Sequence, residues 1–486
     1  MKTSKQVRVR FAPSPTGEVH IGSARTGLFN YLFARHYIGK IILRIEDTDQ
    51  KRFVEGSVER LTESMKWLGI EFDESPTKSG RYAPYTQSER LGIYQEYAQK
   101  LIEDSHAYYC FCSEDRLKDM REKQIKNKQA SMYDKTCLNL TGEEVNKKLN
   151  ANKPYVIRLN VNPSGKTSFT DLIRDYVEFD NVNLDDQVLI KSDGMPTYHL
   201  ANVVDDHLMN ITHVLRAEEW LPSTPKHIIL YNAFGWKVPE FAHIPLVLSP
   251  DKSKLSKRHG AASVEEFIKR GYLPEAIINF IALIGWNPKD NREFFSLTEL
   301  IKEFDITKVN KAGGVFDINK LDHFNSHYIK NLSNKDLINL ITNYRLSIIN
   351  KIDKKLLNKI IAVIKDRMVT LSDFEELSKP FIEQIKYDPK LLVFKKSTKK
   401  TTIKGLQVTS YKLQATKNSD WQSINKLNQI LLDVISNNKL TNGDVFWPIR
   451  VALSGLEKSP SPVEMLWALG KKESLKRLQY GIEILS

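Results

Sequence analysis

Two short stretches, far apart in the chain, carry residue types suited to handling phosphate. The first is His20-Ile-Gly-Ser23, preceded by Arg10-Phe-Ala-Pro-Ser-Pro-Thr-Gly17; the second is Lys254-Leu-Ser-Lys-Arg258, in a loop opened by Ser249-Pro-Asp-Lys252. Val7 to Phe11 alternates as a strand does, Pro13, Pro15 and Gly17 stop it, and an apolar periodicity then runs through Ala24, Leu28, Tyr31 and Leu32. A strand, a loop and a helix follow from that pattern. The helix N-terminus offers an anion free backbone N–H groups and the positive end of a dipole, and Gly22 lets a flat ring or a phosphate approach the backbone closely. Lys254, Ser256 and Lys257 form a cationic clamp of the kind that neutralises a transferring phosphate. Taken singly, a helix-start histidine and a solvated basic loop explain these residues as well. Together they point to a nucleotide, with His20, Lys254 and Lys257 stabilising charge and Gly22, Ser23 and Ser256 completing the pocket.

The elements that must position them can be read outward from this junction. The helix from His20 runs to about Tyr37, Gly39 ends it, and Lys40 to Ile45 is a buried strand followed at once by Glu46, Asp47 and Asp49. This is a β-α-β unit. Ligands of open parallel sheets bind beyond the carboxyl ends of the strands, where Arg10, Ser14 and Glu46 fall; a carboxylate there suits an amino group. From about Gln95 to Met195 an insertion separates two halves of the nucleotide fold, with strands expected at Tyr155 to Asn160 and from Val188. The second half resumes near Thr197, with Tyr198 and Asn202 at the start of an apolar segment and a strand from Ile211 to Leu215 ending in Arg216-Ala-Glu-Glu-Trp220. Asp205-Asp-His207 is expected to be a hydrogen-bonded turn rather than a metal site.

The insertion holds all three cysteines, Cys110-Phe-Cys112 and Cys137, with Tyr133 four residues before the last. Close thiolates pre-form half of a zinc tetrahedron, so the alternatives are a structural zinc knuckle or a metal-free group of buried cysteines.

Past Ala262 the pattern turns helical. Ala276 to Ile284 is apolar nearly all round, and Gly313-Gly314 marks a break. Leu337, Leu340, Ile341 and Tyr344 share one face, as do Ile424, Leu427, Leu431 and Val434. Ser461-Pro-Val-Glu464 is a capping box with proline in the first helical position, and Gly470 is expected to end that helix's first segment. The division expected is 1–94 and 196–262 for the two halves of the catalytic fold, 95–195 for the insertion, 263–328 for a linking helical piece and 329–486 for a helical C-terminal region. Net charge is +13, and the stretch from Ser326 onward, with 27 Lys/Arg against 15 Asp/Glu, carries nearly all of it. A one-sided excess of that kind is the footprint of a polyanion, although a lysine-rich surface explains it as well. With 486 residues and 41% apolar content the chain can bury several cores. It lacks a run of about 18 apolar residues and a signal-peptide core, so a cytoplasmic protein with no membrane partner is expected.

The phrases Phe11-Ala-Pro-Ser-Pro-Thr-Gly17, Arg44-Ile-Glu-Asp-Thr-Asp49, Tyr198-His-Leu-Ala-Asn-Val-Val-Asp-Asp-His207 and Arg216-Ala-Glu-Glu-Trp220 join the two signature stretches in one order over nearly the whole chain. In these the chain resembles the bacterial-type glutamyl-tRNA synthetases, class I aminoacyl-tRNA synthetases. Two positions depart from the pattern. Ser23 stands where many class I enzymes have a second histidine, and Asn139 stands where zinc-binding members complete the site with C-x-H.

The resemblance implies an α/β fold: a Rossmann-type catalytic domain with an inserted α/β domain that grips the tRNA acceptor end, then an all-α anticodon-binding region. It implies ATP as substrate with Mg²⁺, L-glutamate, and tRNA-Glu, with tRNA-Gln as the alternative or additional acceptor, handled by a monomer. Glutamate would be held by Glu46 at its amino group and by Arg10, Ser14, Tyr198 and Asn202. Arg216 would read the γ-carboxylate through its bidentate fork; the bland alternative is a surface ion pair of Arg216 with Glu219. Arg52, Arg367 and Arg450 would contact tRNA, and Tyr133 would join Cys110, Cys112 and Cys137 if zinc is bound. A glutaminyl enzyme should carry a β-barrel-like anticodon part. A catalytically inactive RNA-binding relative is the reading from another class, and the intact His20 and Lys254 to Arg258 stretches argue against it.

Overall fold

The computed structural model describes residues 6–255, 263–344, 346, 348–349 and 352–486. The chain forms two compact units, one of residues 1–267 and 274–318, the other of 268–273 and 319–486. The segment 263–328, expected as a separate linking piece, is thus divided: 274–318 packs with the first unit, and 319 onward with the second.

The first unit is α/β. Its nucleus is β1 (Arg8–Phe11), α1 (Ile21–His36) and β2 (Lys40–Leu43), with β1 and β2 parallel and in register from Arg8 opposite Lys40. Both strands are buried on both faces apart from Lys40, as parallel strands under helices are. α1 buries Ala24, Leu28, Phe29, Leu32 and Phe33, too wide an apolar band for a surface helix. The chain turns out of α1 at Gly39, where an added Cβ would lie 2.4 Å from the Val7 carbonyl, so only glycine fits between helix and strand.

The helices α2 (Ser57–Trp67) and α3 (Leu91–Glu103) lead into the insertion. There β3 (Ala107–Cys110), α4 (Glu114–Lys126), α5 (Gly142–Asn150), β4 (Val156–Leu159), β5 (Lys166–Asp171), β6 (Asp175–Asp180) and β7 (Val188–Ile190) follow in order. β3, β4 and β7 make an antiparallel sheet. The β5–β6 hairpin, inside the stretch expected to be the inserted domain, pairs elsewhere: Asp171 of β5 lies parallel to Phe241 of the later strand Glu240–Ile244. The fold then continues through α6 (Tyr198–Leu208), β8 (His213–Ala217), α7 (Thr224–Ala233) and β9 (Glu240–Ile244), with β8 and β9 parallel. Thr212 N–H donates to the Arg8 carbonyl at 2.9 Å, which lays the second half against the first. One apolar core takes in Tyr94 and Leu101 of α3, Ile157 and Leu159 of β4, Leu200 and Val203 of α6, and Leu230 of α7.

Sequence patterning expected a turn at Asp205-Asp-His207. The structure places all three in the last turns of α6, with both acids buried. The apolar face of α6, with Leu200, Val203 and Val204, holds the helix in place, and guanidinium groups from other elements satisfy the acids.

The second unit is built from helices alone among its described residues. Asn334–Asn343 buries Leu337 and Ile341, and Ile424–Asn438 buries Leu427, Leu431 and Val434, most of the faces expected from their spacing; Leu340 and Tyr344 are half-buried, and Ile424, at its helix start, is exposed. Ser461 and Glu464 form the expected capping box of Pro462–Leu485, and Gly470, at φ 76°, breaks that helix. No helix of the described residues is long and apolar enough to cross a membrane.

Helix Lys399–Ala415 meets helix Asn442–Ser454 at Gly405, where an added Cβ would lie 2.0 Å from the Asp444 carbonyl. Backbone cannot yield as a side-chain end can. Gly405→Ala is therefore expected to destabilise the second unit by about 1–3 kcal/mol, the usual cost of overpacking, measured by urea unfolding of the full chain.

Candidate active site

Two cavities open side by side at the carboxyl ends of β1 and β8. One, of about 450 Å³, is lined by His20, Gly22, Ser23, Ala217, Glu219 and Lys254 among others. The other, of about 400 Å³, is lined by Arg10, Ser14, Ser23, Glu46, Arg52, Tyr198, Asn202, Arg216 and Trp220 among others. Ser23, Thr26, Ala217 and Glu219 belong to both walls, so contents of the two chambers would touch. Ser256 and Lys257 lie outside the described residues.

In the first chamber His20 is the N-cap of α1, exposed, with extended backbone (φ −71°, ψ 150°) and no capping hydrogen bond from its ring. The imidazole is thus not spent on capping the helix. A Cβ built on Gly22 meets nothing within 4 Å, so its backbone borders open space. Lys254 Nζ donates to Glu219 Oε1 at 2.5 Å, both side chains about half exposed. Such exposed pairs are worth about 0–1 kcal/mol, so the ammonium is easily released. This also answers the surface-pair alternative for Arg216: Glu219 takes Lys254 instead.

The second chamber rests on a buried charge network. β1 delivers Arg10, the end of β2 delivers Arg44 and Glu46, and α6 delivers Asp205 and Asp206. Arg10 Nε donates to Asp206 Oδ1 at 3.0 Å, Arg44 Nη1 to Asp206 Oδ1 at 2.7 Å, and Arg44 Nη2 to Glu46 Oε1 at 2.9 Å. Arg90 Nε, Gln87 and the Tyr94 hydroxyl all donate to Asp205. The Asn202 amide, with its oxygen toward Arg10, accepts from Arg10 Nη2 and donates to Asp206 Oδ2, each at 3.2 Å. Burial pushes the Asp206 carboxyl up, but Arg10 and Arg44 outweigh it and hold the group below the ordinary range. For Glu46 burial wins over Arg44 and Arg10, and its pKa is raised. The loop itself is stitched down by Glu46 N–H to the Pro13 carbonyl at 3.1 Å and Ser57 Oγ to the Pro15 carbonyl at 3.1 Å.

Arg216, at the end of β8, is 4% exposed. It donates through Nε to His243 Nε2 at 3.1 Å, through Nη1 to the Tyr198 hydroxyl at 3.0 Å and His227 Nδ1 at 3.1 Å, and through Nη2 to Thr224 Oγ1 at 2.8 Å and the Trp220 carbonyl at 3.4 Å. Five donors find five acceptors, and none is charged. Among the described residues no carboxylate pairs with it. Trp220 lies over Tyr198 with ring centroids 4.0 Å apart.

Arg52 lies in the short helix Gln50–Arg52 at the edge of the second chamber, exposed. Arg367 and Arg450 belong to the second unit; Arg367 is 4.0 Å from Glu464 Oε2, and Arg450 is half-buried in helix Asn442–Ser454. In the insertion the Sγ atoms of Cys110, Cys112 and Cys137 lie within 4.8 Å of one another, and the Tyr133 hydroxyl is 3.3 Å from Cys112 Sγ.

Sequence reasoning missed Arg44, Asp171, Asp206, Thr224, His227 and His243 as parts of this site. Arg44 had a signal: it falls on a buried strand two residues before Glu46. Asp171 and His243 had none, because only the β5–β9 pairing joins them.

Residues 6–323 match the family of class I (E and Q) tRNA synthetase catalytic domains, and residues 334–482 match an anticodon binding domain. A glutamate–tRNA ligase of Dehalococcoides mccartyi is 44% identical over 99% of this chain and 98% of its own length, and one of Alkaliphilus metalliredigens is 45% identical over 99% and 100%. The solved glutamate tRNA ligase of Elizabethkingia meningosepticum, in complex with its amino acid, superposes with a TM-score of 0.92 at 37% identity, covering 99% of this chain and all of that one.

Replacing Asp206 with asparagine leaves two buried guanidinium groups short of one countercharge. Asp206→Asn is expected to cost about 3–5 kcal/mol of unfolding free energy, as broken buried pairs do, in urea titration at neutral pH. Because the folded pKa of Asp206 is lowered, its stabilisation is present above the unfolded carboxyl value and is lost as pH falls through the folded one; the gap between variant and parent should close on acidification.

Proposed function

The chain belongs to the glutamate–tRNA ligase family of class I tRNA synthetases, and from that premise we propose that its two chambers hold ATP and L-glutamate side by side for adenylate formation. The observation that carries this reading is Arg216, a buried guanidinium with full hydrogen bonding and no countercharge among the described residues, in the wall of a chamber that Glu46 also lines. An amino acid with a side-chain carboxylate supplies the missing charge, displacing the neutral chamber-side acceptors Tyr198 and Trp220 with a charge-assisted fork. Glutamine does not. Glu46 takes the α-amino group, and Arg10, Ser14, Tyr198 and Asn202 frame the rest.

The α-carboxylate oxygen of glutamate then attacks the α-phosphorus of ATP, the bond to the β-phosphate oxygen breaks, and pyrophosphate leaves. His20, Gly22, Ser23 and Lys254, with Ser256 and Lys257, cradle the nucleotide and offset charge growing on the phosphates. Mg²⁺ accompanying ATP supplies further charge neutralisation. A terminal ribose hydroxyl of tRNA next attacks the anhydride carbon, and AMP leaves with the phosphate. Neither step needs a protein nucleophile, in keeping with a site built from charge and position.

The insertion is assigned to the acceptor end and the helical second unit, with its basic excess, to the anticodon. Arg367 and Arg450 are assigned to tRNA in that unit, and Arg52 at the chamber edge. The helical rather than barrel-like second unit favours the glutamate over the glutamine branch. Three mutually close thiols suit a structural zinc ion, held by Cys110, Cys112 and Cys137 with Tyr133 beside them. Native mass spectrometry should find one zinc per chain, absent from Cys112→Ser.

Transfer of labelled glutamate, with ATP and Mg²⁺, onto purified tRNA-Glu and tRNA-Gln in parallel tests the reading. Charging of tRNA-Glu alone is expected; charging of tRNA-Gln as well would mark an enzyme of broader scope, and failure on both by folded protein would overturn the assignment. Arg216→Ala should lower kcat/KM for glutamate by about 10²–10³-fold, the equivalent of about 3–4 kcal/mol, within the range for a broken buried pair.

A further inference from the structure

Behind Arg216 stand two imidazoles, and the chemistry of the guanidinium decides their state. Arginine has only N–H donors. His243 Nε2 and His227 Nδ1, at 3.1 Å from Arg216 Nε and Nη1, must therefore present lone pairs. Each ring's remaining proton then has a place. His243 Nδ1–H donates to Asp171 Oδ2 at 2.6 Å, and His227 Nε2–H donates to His199 Nδ1 at 3.2 Å. Asp171 is held in turn by the backbone N–H groups of Ile173, Arg174 and His243. The tautomers are fixed by partners on β5, α6 and α7, which converge on the end of β8.

Both rings are fully buried. The groups facing His243 are Asp171, Arg174, Arg216 and Thr224; those facing His227 are Arg216, His199, Arg10 and His243. Burial lowers the His243 pKa to about 4 against the opposing pull of Asp171, and burial together with Arg216 takes His227 well below its ordinary value. At neutral pH both rings are uncharged acceptors.

A carboxylate in either place would also orient Arg216, but it would cancel the charge that the substrate must meet. The acid behind His243, Asp171, is set one imidazole away from the arginine. Resting on the assignment of Arg216 to the γ-carboxylate, we propose that His227 and His243, the latter with its tautomer set by Asp171, are positioning residues for side-chain selection. They aim Arg216 by neutral hydrogen bonds and leave its positive charge for glutamate.

His227→Gln and His227→Glu separate aim from charge, because the two side chains have the same reach and differ in one charge. Kinetics of ATP–pyrophosphate exchange with tRNA present, run on the full chain, give kcat/KM for glutamate, the ratio of glutamate to glutamine use, and KM for ATP. The glutamine variant should lose no more than about tenfold in kcat/KM for glutamate. The glutamate variant should lose about 10²-fold or more, as expected when a buried charge is already paired, and its preference for glutamate over glutamine should fall by the same order. KM for ATP should hold in both, which also reports that each variant is folded. Equal losses in the two variants, or a glutamate variant that keeps its selectivity, would overturn the proposal. Arg216→Ala run alongside keeps the two readings apart: if it leaves glutamate use intact, the assignment of Arg216 fails, whereas its collapse beside an unaffected His227→Glu sinks only the role of the imidazoles.

Discussion

Three guanidinium groups and three carboxylates, Arg10, Arg44 and Arg90 with Glu46, Asp205 and Asp206, are buried together and formally neutral. They come from β1, the end of β2, the short helix Gln87–Arg90 and α6, so the network fastens both halves of the nucleotide fold to each other. Buried ion pairs add little net stability over apolar packing, yet each member is costly to remove alone. What the network confers is position. Arg10 and Glu46, both chamber-wall residues, are also members of it, so the geometry of the chamber and the integrity of the fold depend on the same contacts.

Arg216 stands apart from that arrangement. It is as buried as its neighbours, but its five acceptors are two imidazoles, two hydroxyls and one carbonyl. The protein thus pairs the buried guanidinium groups of Arg10, Arg44 and Arg90 with carboxylates, whereas among the described residues no carboxylate pairs with Arg216. Charge left over in a low-dielectric site acts on a ligand far more strongly than the same charge in water. The contrast with Lys254 is instructive. Its exposed pair with Glu219 is weak, as would suit the phosphate-facing role proposed for it.

The adjoining chambers suit the proposed chemistry, in which neither step uses a protein nucleophile. Ser23, Thr26, Ala217 and Glu219 are shared walls, so two substrates placed as proposed would touch, and the protein would need only to orient them and offset charge. Gly22 serves this by leaving its side of the helix start open. In the second unit glycine serves packing instead, with Gly405 allowing two helices to meet backbone to backbone.

The sequence by itself determined much of this. Alternation and breakers around Val7 to Gly17 placed β1 and its loop, spacing placed α1, and the rule that ligands gather at strand ends brought Arg10, Ser14 and Glu46 together, because each of these signals acts over a few residues. Ser461 with Glu464 and the break at Gly470 were legible for the same reason. Local patterning misjudged Asp205 and Asp206: two adjacent acids resemble a turn unless the guanidinium groups that neutralise them are known, and those arrive from residues more than a hundred positions away. Only tertiary structure could decide that Glu219 faces Lys254, that the β5–β6 hairpin joins the sheet of β9, and that Asp171, His243 and His227 stand behind Arg216. A buried charge is defined by what surrounds it in space, and the chain brings those partners together only by folding.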